Sequence, residues 1–572
     1  MSEERTRSGI SRRSFLKTSA AAAGVAALGG TGMTALAANT DAGAGADEVK
    51  VYSGSCRGNC FQGCHINYKV REGRVVEAAA GEFPDSQYER ICPKGHSLPH
   101  RFYDSHRVQY PMKRVAGTER GSGEFERISW DQALDEIAQK LTGYINTYGG
   151  RSIGFVSISG NSGLGENNMY SRLMNRIGAV ILSLHVDNAL FKGTIDTLGR
   201  HTAWNSNDMS DMKNSRTIFV WGSNVTEAQI QMWHWMIEAK QNGAKLVCVD
   251  PNVTGVSSKS DIHVRPRPGT DAAMTMGMMN VVLENGWEDL NFLRDHTVAP
   301  FLVKQDGTGA YLRAADAGIE VEGIADADIA AKTIMVARED GTFDITANVT
   351  DPVLHGEFEV NGIKVKTAYD MLLERIAPYT PAKAAEISGV PEEQIREITD
   401  LYTNHGPSWI FQGLGPEHYV NGHTMYVANA TLAMLTGNLA KPGASCGYVR
   451  PRDGWKGSTM TTKAGAGWPG TLRISAELLP EIMETGIYGE YEIPLHCIWV
   501  FNNNWLGVCC ERKAYIDAFN KVETIIVADP CMSETAMYAD YILPASDWAE
   551  EWDVHGNATL YPCIHIDRKS VV

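Results

Sequence analysis

Cys56, Cys60, Cys64 and Cys92 stand in the spacing C-x3-C-x3-C-x27-C, the last inside Cys92-Pro93-Lys94-Gly95. Thiolates are soft ligands, so four that converge point to an iron–sulfur cluster or a structural zinc. Zinc ribbons and fingers usually pair their cysteines two and two. Here the grouping is three and one, which favours a four-iron cluster over zinc, with unligated structural thiols as the remaining alternative. The other seven of the eleven cysteines are scattered. Cys248, Cys497 and Cys531 lie in or beside apolar strand-like runs and read as buried thiols; the adjacent Cys509 and Cys510 receive no role. An electron-transfer protein or redox enzyme is expected.

The elements that must position such a centre read as α/β. Ser129-Trp130-Asp131-Gln132 is a capping box opening a helix whose buried face is expected at Leu134, Ile137, Ala138 and Leu141. A strand over Arg151–Ser159 leads through the loop Gly160–Gly165 into a helix with Met169, Tyr170, Leu173, Met174 and Ile177 on one face. That glycine loop lacks the dinucleotide fingerprint, so it predicts no NAD site. Residues 303–362 are rich in Gly, Asp and Ala and read as a surface excursion from the core.

One plan occurs twice. Ile218–Asn224 is a strand ending in polar residues, followed by a helix from Thr226 to Gln241 and the strand Lys245–Val249, which ends in Asp250-Pro251. Ile498–Asn504 repeats it, with a helix around Lys513–Phe519 and the strand Thr524–Ala528 ending in Asp529-Pro530. Pro251 and Pro530 align when Asn224 meets Asn503. Ligands bind at the carboxyl edge of open parallel sheets, where an Asp commonly takes donors from a nucleotide. Two such units imply two similar nucleotide-like ligands; ordinary helix capping by Asn and Asp is the plainer alternative.

The amino terminus sets the compartment. Ser11-Arg12-Arg13-Ser14-Phe15-Leu16-Lys17 precedes a small-residue, weakly apolar run from Thr18 to Ala38, with Ala35-Leu36-Ala37 as a cleavage motif. This is a twin-arginine export signal, with an uncleaved anchor as the alternative, and it suits a protein that loads a metal cofactor before leaving the cytoplasm. A periplasmic site or the outer face of the cytoplasmic membrane is expected. The chain of 572 residues, 43% hydrophobic, is long enough for several globular domains. A formal charge of −16 with no basic patch argues against nucleic acid as a partner.

The cysteine motif and the two repeated units together resemble the molybdopterin oxidoreductases of the dimethyl sulfoxide reductase family, from about Val51 to Asp553. Further segments carry the resemblance: Arg127–Leu134, Arg267–Ala273, Gln412–Pro416, Leu435–Asn438 and Tyr538–Pro544. It implies a multidomain α/β molybdopterin-oxidoreductase fold with an N-terminal iron–sulfur domain and two pseudo-symmetric parallel-sheet nucleotide-binding units. The expected layout is a signal at 1–38, a [4Fe-4S] domain at 48–110, one α/β domain from 111–195 and 380–553, and another from 196–379. It also implies molybdenum, or tungsten, held by two pterin guanine dinucleotides. Asn224 and Asp250 would serve one guanosine, Asn503 and Asp529 the other by their place in the repeat. Arg267, Gly269, Thr270 and Asp271 resemble the cofactor-contacting loop. Lys94 falls where the family places a lysine between cluster and pterin, where a fixed ammonium offsets negative charge on both.

The family's metal ligand would lie in His185-Val186-Asp187-Asn188-Ala189. Asp187 is the candidate carboxylate, Asn188 a poor substitute and His185 a candidate proton donor; otherwise a hydroxide or oxo group takes the position. Trp233, Trp235 and Tyr426 offer aromatic surface that core packing explains as well. The activity implied is reductive removal of an oxygen atom or hydroxyl from a small organic substrate. Electrons would be drawn from quinol through a membrane anchor and a ferredoxin-like iron–sulfur subunit. Two other readings are a non-redox metal hydratase of the same superfamily and a truncated, inactive fragment. The chain stops at Val572 without the family's carboxyl-terminal barrel, and residues 554–572 match nothing expected there.

Overall fold

Two parallel sheets form the scaffold, and the chain leaves the first to build the second before returning. The computed structural model describes residues 48–58, 60, 62–156, 164–184, 188–199, 207–448, 468–555 and 565–567. Ahead of the sheets, a three-stranded antiparallel sheet (Lys50–Ser55, His65–Arg71, Arg74–Ala80) carries the short helices Pro93–His96 and Leu98–Phe102. Ile66, Tyr68, Val70, Val75 and Phe102 give this lobe its own small core, closed by Trp548 from far along the chain.

The first large sheet has eight strands. Its parallel centre runs Leu472–Ser475, Val180–Ser183, Ile153–Val156, Cys497–Phe501, Thr524–Asp529 and Tyr541–Pro544, with Met112–Arg114 and Phe125–Arg127 antiparallel at the edge. The second has five parallel strands in the order Ile262–Val264, Lys245–Val249, Thr217–Trp221, Ser408–Gln412, Ser445–Gly447. All residues of Thr217–Trp221 and Ser408–Gln412 are buried, the pattern of strands covered by helices on both faces.

The expected boundary at 380 is corrected by this pairing. Ser408–Gln412 runs parallel to Thr217–Trp221, Ser408 opposite Thr217 and Gln412 opposite Trp221, so the return to the first sheet falls after Gly447. The helix Asn188–Leu198, expected with the first sheet up to 195, also goes with the second. A Cβ on its Gly193 would lie 2.7 Å from both the His423 carbonyl and Tyr426 Cβ, so only glycine allows this approach to the helix His423–Leu435.

Two helical faces are rotated by about one residue from expectation. In Trp130–Tyr148 the buried residues are Ala133, Ile137 and Tyr144, while Leu134 is 51% exposed. In Leu164–Ile177, Met174 is buried and Met169 and Leu173 face solvent. Ser129 Oγ accepts from the Gln132 N–H at 3.1 Å as foreseen, but the Gln132 side chain turns to Glu136. Cys248 and Cys497 are buried, whereas Cys531, expected inside, is exposed. Residues 302–365 form a satellite with a small core of Leu302, Leu312, Met335, Val360 and Val365. Among the described residues no helix is long and apolar enough to cross a membrane.

Candidate cofactor sites

The cysteine loop is closed by one backbone bond, from the Cys56 N–H to the Cys64 carbonyl at 2.8 Å. Gly63 takes a left-handed φ of +61° just before Cys64. Cys56 follows the strand Lys50–Ser55, Cys64 precedes His65–Arg71, and Cys92 caps the helix Pro93–His96. The four thiols feel one another electrostatically: Cys64 responds to Cys56, Cys60 and Cys92, and Cys60 to Cys92. A Cβ on Gly58 would lie 3.4 Å from Cys56 Sγ and 3.9 Å from Cys60 Sγ, so the loop keeps the space between these sulfurs free of side chain.

Burial pushes the Cys56 thiol up to about 12, with Cys60 adding to the shift, and raises Cys60 and Cys64 as well. Such thiols ionise only beside compensating positive charge, which a metal centre supplies. Among the described residues no trio of His, Cys, Asp or Glu is grouped to hold a single ion. Thiols that shift one another's ionisation suit a multi-iron cluster, in which each sulfur binds a different iron.

Lys94 donates to the Glu227 carbonyl at 2.7 Å, and its charge lowers Cys60. Gln231 Nε2 lies 3.5 Å from Cys64 Sγ. Both contacts tie the thiol loop to the first repeated unit. In that unit Trp221 is followed by Gly222 at φ +59°, and Asn224 caps the four-residue helix Val225–Ala228. The expected helix from Thr226 is therefore broken, resuming at Ile230–Gln241. The Gly222 carbonyl accepts from the Gly415 N–H at 3.0 Å, and a Cβ on Gly413 would fall 2.1 Å from it. This close backbone approach explains the glycines of Gln412–Pro416.

Asp250 closes the strand Lys245–Val249. Its Oδ1 accepts from the Asn252 N–H at 2.8 Å, and among the described residues its Oδ2 has no donor. Asn224 Oδ1 accepts from Thr226 Oγ1 at 2.7 Å. Asp271 is buried at the start of the helix Asp271–Asn285 and accepts from Trp221 Nε1 at 2.8 Å; burial raises its carboxyl, and that bond opposes the rise. Arg267 donates to the carbonyls of Glu386 and Ile387, so it secures the loop to the helix Pro381–Ser388. Thr270 Oγ1 donates to the Arg267 carbonyl, and the Gly269 carbonyl accepts from Asn421 Nδ2 at 2.8 Å.

The second unit repeats the first with a shift of register. Asn502 takes φ +53° where Gly222 sits, and Asn504 caps Trp505–Val508. The N-cap counterpart of Asn224 is thus Asn504, and Asn503 matches Ser223. The alignment on the prolines missed this because the second unit has one residue fewer than the first between the helix and the following strand. Asn504 Oδ1 accepts from the Thr535 N–H and Oγ1, and its Nδ2 donates to Glu534. Asp529 has both oxygens engaged, with the Cys531 N–H at 2.9 Å and Ser533 Oγ at 2.7 Å.

His185 and Asp187 lie outside the described residues, as does the loop 160–163. The helix Asn188–Leu198 beside them shows a residue that motif reading passed over. Glu417 is buried, and its Oε1 accepts from the Leu190 N–H at 2.6 Å at that helix's start. Gln229, also missed, is 1% exposed, and among the described residues neither polar atom of its amide has a partner. Its signal was its place five residues after Asn224, at the end of the capped turn. Trp235 and Tyr426 are core; Tyr426 OH donates to the Gly413 carbonyl at 2.7 Å.

The donor sets fit the groups implied. Four thiols coupled to one another suit a cluster, while an Asp250 oxygen and a buried Gln229 amide that have no partner among the described residues, at a sheet's carboxyl edge, suit a nucleotide-bearing cofactor.

Comparisons with known proteins agree with this assembly. The family model "Molybdopterin oxidoreductase" matches residues 107–564, "Molybdopterin oxidoreductase Fe4S4 domain" matches 49–104, and "TAT (twin-arginine translocation) pathway signal sequence" matches 9–29. The chain is 29% identical to a putative dimethyl sulfoxide reductase catalytic subunit of Halobacterium salinarum, over 95% of this chain and 66% of that protein. It is 27% identical to the alpha subunit of the perchlorate reductase of Dechloromonas aromatica, over 87% of this chain and 60% of that protein. It therefore spans somewhat less than two thirds of the length of these relatives. The fold is similar to acetylene hydratase from Pelobacter acetylenicus, with a TM-score of 0.66 and 20% identity, covering 91% of this chain and 66% of that one. The chain belongs to the molybdopterin oxidoreductases, of the dimethyl sulfoxide reductase-like kind, with a twin-arginine export signal, a four-iron cluster domain and a molybdopterin cofactor.

Proposed function

We propose that this chain carries the electron-entry and cofactor-holding parts of an exported reductase that removes an oxygen atom or hydroxyl from a small substrate. The observation that supports this best is the junction at Lys94. One ammonium on the cluster loop, bonded to the Glu227 carbonyl, joins the thiol quartet to the first nucleotide unit. A cluster held by those thiols would therefore stand on the side of the first nucleotide unit, where it would supply electrons to the pterin-held metal.

In this reading Cys56, Cys60, Cys64 and Cys92 hold the cluster. Asp250 and Asn224 take the donors of one guanine, and Asp529 with the Asn503–Asn504 pair takes the other. Arg267, Gly269, Thr270 and Asp271 shape the wall between them. When bound, a molybdenum (or tungsten) bis(pterin guanine dinucleotide) supplies the two-electron chemistry at the substrate oxygen. The protein's own work is to exclude water, orient the substrate and hold charge at fixed positions. Lys94 does the last, keeping a cation where both centres are anionic. Asp187 is the proposed protein ligand to the metal. The names of the relatives favour an oxyanion or S-oxide substrate, and relatives described as subunits favour a ferredoxin-like electron donor and a membrane anchor as partners.

The test is anaerobic purification of the chain, metal and pterin analysis, and oxidation of reduced viologen on addition of dimethyl sulfoxide, an N-oxide or perchlorate. Dye oxidation with one of these is expected. Stoichiometric metal without dye oxidation, together with hydration of an alkyne, would replace this reading by a hydratase. Cys64→Ser should lose most of its iron, read by colorimetric iron assay. An unchanged iron content would remove the quartet from the cluster.

A further inference from the structure

Three arginines from the first part of the chain converge on one acidic segment near its end. Arg101 Nε meets Asp547 Oδ2 at 2.8 Å, and Arg107 grips Glu550 with both terminal nitrogens at 2.7 and 2.8 Å. The third, Arg57, differs in burial and in place. Its side chain has 0% exposure, and it pairs with Glu551, with Asp553 Oδ2 4.0 Å away. Arg57 stands between Cys56 and Gly58, in the loop that holds three of the four thiols. Glu551 is further fixed by Ser546 Oγ at 3.0 Å, and the segment is anchored by Trp548 Nε1 donating to Tyr68 OH at 2.8 Å.

As a stabilising device this pair is poorly explained. Desolvating two charges costs several kcal/mol in order of magnitude, and an apolar pair of the same volume commonly serves as well or better. Its electrostatic reach is another matter. A fully buried cation is little screened by salt, so its field acts strongly on neighbouring charge. Cluster potentials respond to net charge, hydrogen bonds and exposure around the sulfurs. Reducing a cluster adds negative charge, which a buried cation next to Cys56 favours and the half-buried carboxylate of Glu551 opposes.

We propose that the Arg57–Glu551 pair sets the reduction potential of the cluster, with Arg57 as a positioning residue of the Cys56 loop and Glu551 as the counter-charge that limits its pull. The inference rests on reading the quartet as a cluster. It assigns an electron-transfer role to a carboxylate 494 residues away in sequence, outside the iron–sulfur domain.

The test is a redox titration of the full chain, purified anaerobically, followed by electron paramagnetic resonance, with iron content measured alongside. Arg57→Gln should lower the midpoint and Glu551→Gln should raise it. Each shift is expected near tenfold in the one-electron equilibrium, about 59 mV. Arg57→Lys, which keeps the charge, should stay near the parent value. Shifts in the same direction, or unmoved midpoints at unchanged iron content, would overturn the proposal and leave the pair a structural tie. If Arg57→Gln does not fold, Glu551→Gln decides alone, and an unchanged or lowered midpoint rejects the idea. A parent chain with no iron and no cluster signal would instead sink the cluster reading, and the proposal with it.

Discussion

The two nucleotide units share a turn plan and differ in how their polar edges are satisfied. In the first, Trp221 Nε1 donates to the buried Asp271, and among the described residues Asp250 has a donor on one oxygen only. In the second, Phe501 holds the place of Trp221 and has no N–H to donate, the buried Trp505 on the next turn has no partner for its Nε1 among the described residues, and both oxygens of Asp529 are engaged within the chain. The positive-φ position is Gly222 in one and Asn502 in the other. The lesson is that a repeated backbone does not carry equal chemistry: the first unit is built around a buried carboxylate and an open acceptor, the second around an internally closed one.

The largest difference is expected at the turn. A Cβ on Gly222 would lie 2.6 Å from Pro416 Cδ, part of a rigid ring, besides the strain of a left-handed φ. Gly222→Ala should destabilise by about 2–3 kcal/mol in denaturant unfolding, whereas Asn502→Gly should stay within about 1 kcal/mol, since Asn tolerates that region. Equal costs would break the comparison.

Next come the tryptophans. Trp221→Phe leaves the Asp271 carboxylate without its donor and should cost about 1–3 kcal/mol. Trp505→Phe loses no hydrogen bond and should cost less than about 1 kcal/mol, by the same measurement. The open oxygen predicts a third asymmetry. Asp250→Asn should weaken cofactor retention about tenfold, or about 1.4 kcal/mol, measured as pterin retained through gel filtration. Asp529→Asn should lose less, because its oxygens already serve the chain.

The smallest effect concerns pH. Burial raises the Asp271 carboxyl above its ordinary value of 3.8. The unfolded chain then releases this proton at lower pH than the native one, so wild-type stability falls as pH rises through that window. Asp271→Asn keeps an acceptor for Trp221 without the buried charge. Its stability relative to wild type should improve as pH rises above about 4, by an amount on the order of 1 kcal/mol per unit of pKa displacement. A difference independent of pH would mean that the carboxylate is ionised at no cost.

Much of the site was legible because its signals are local. The thiol spacing, the Asn and Asp at strand ends, and the glycines of Gln412–Pro416 each answer a demand of neighbouring backbone or of a soft ligand set. The helical faces were misread by one position, since Leu134 and Ala133 are both apolar and only the packed neighbour selects between them. Asn504 was passed over for Asn503 because alignment on Pro251 and Pro530 hides a one-residue difference. Gln229 and Glu417 carried no motif; what distinguishes them is burial, which composition does not show.

The sequence by itself determined the export signal, the iron–sulfur domain and the existence of two strand–helix–strand units, because each rests on chemistry within a few residues. Only the tertiary structure decided that Ser408–Gln412 joins the first unit's sheet, that Lys94 reaches the Glu227 carbonyl, and that Arg57 finds Glu551. Those contacts join segments more than a hundred residues apart, and apolar strands of equal length are interchangeable partners until the whole core has chosen one register.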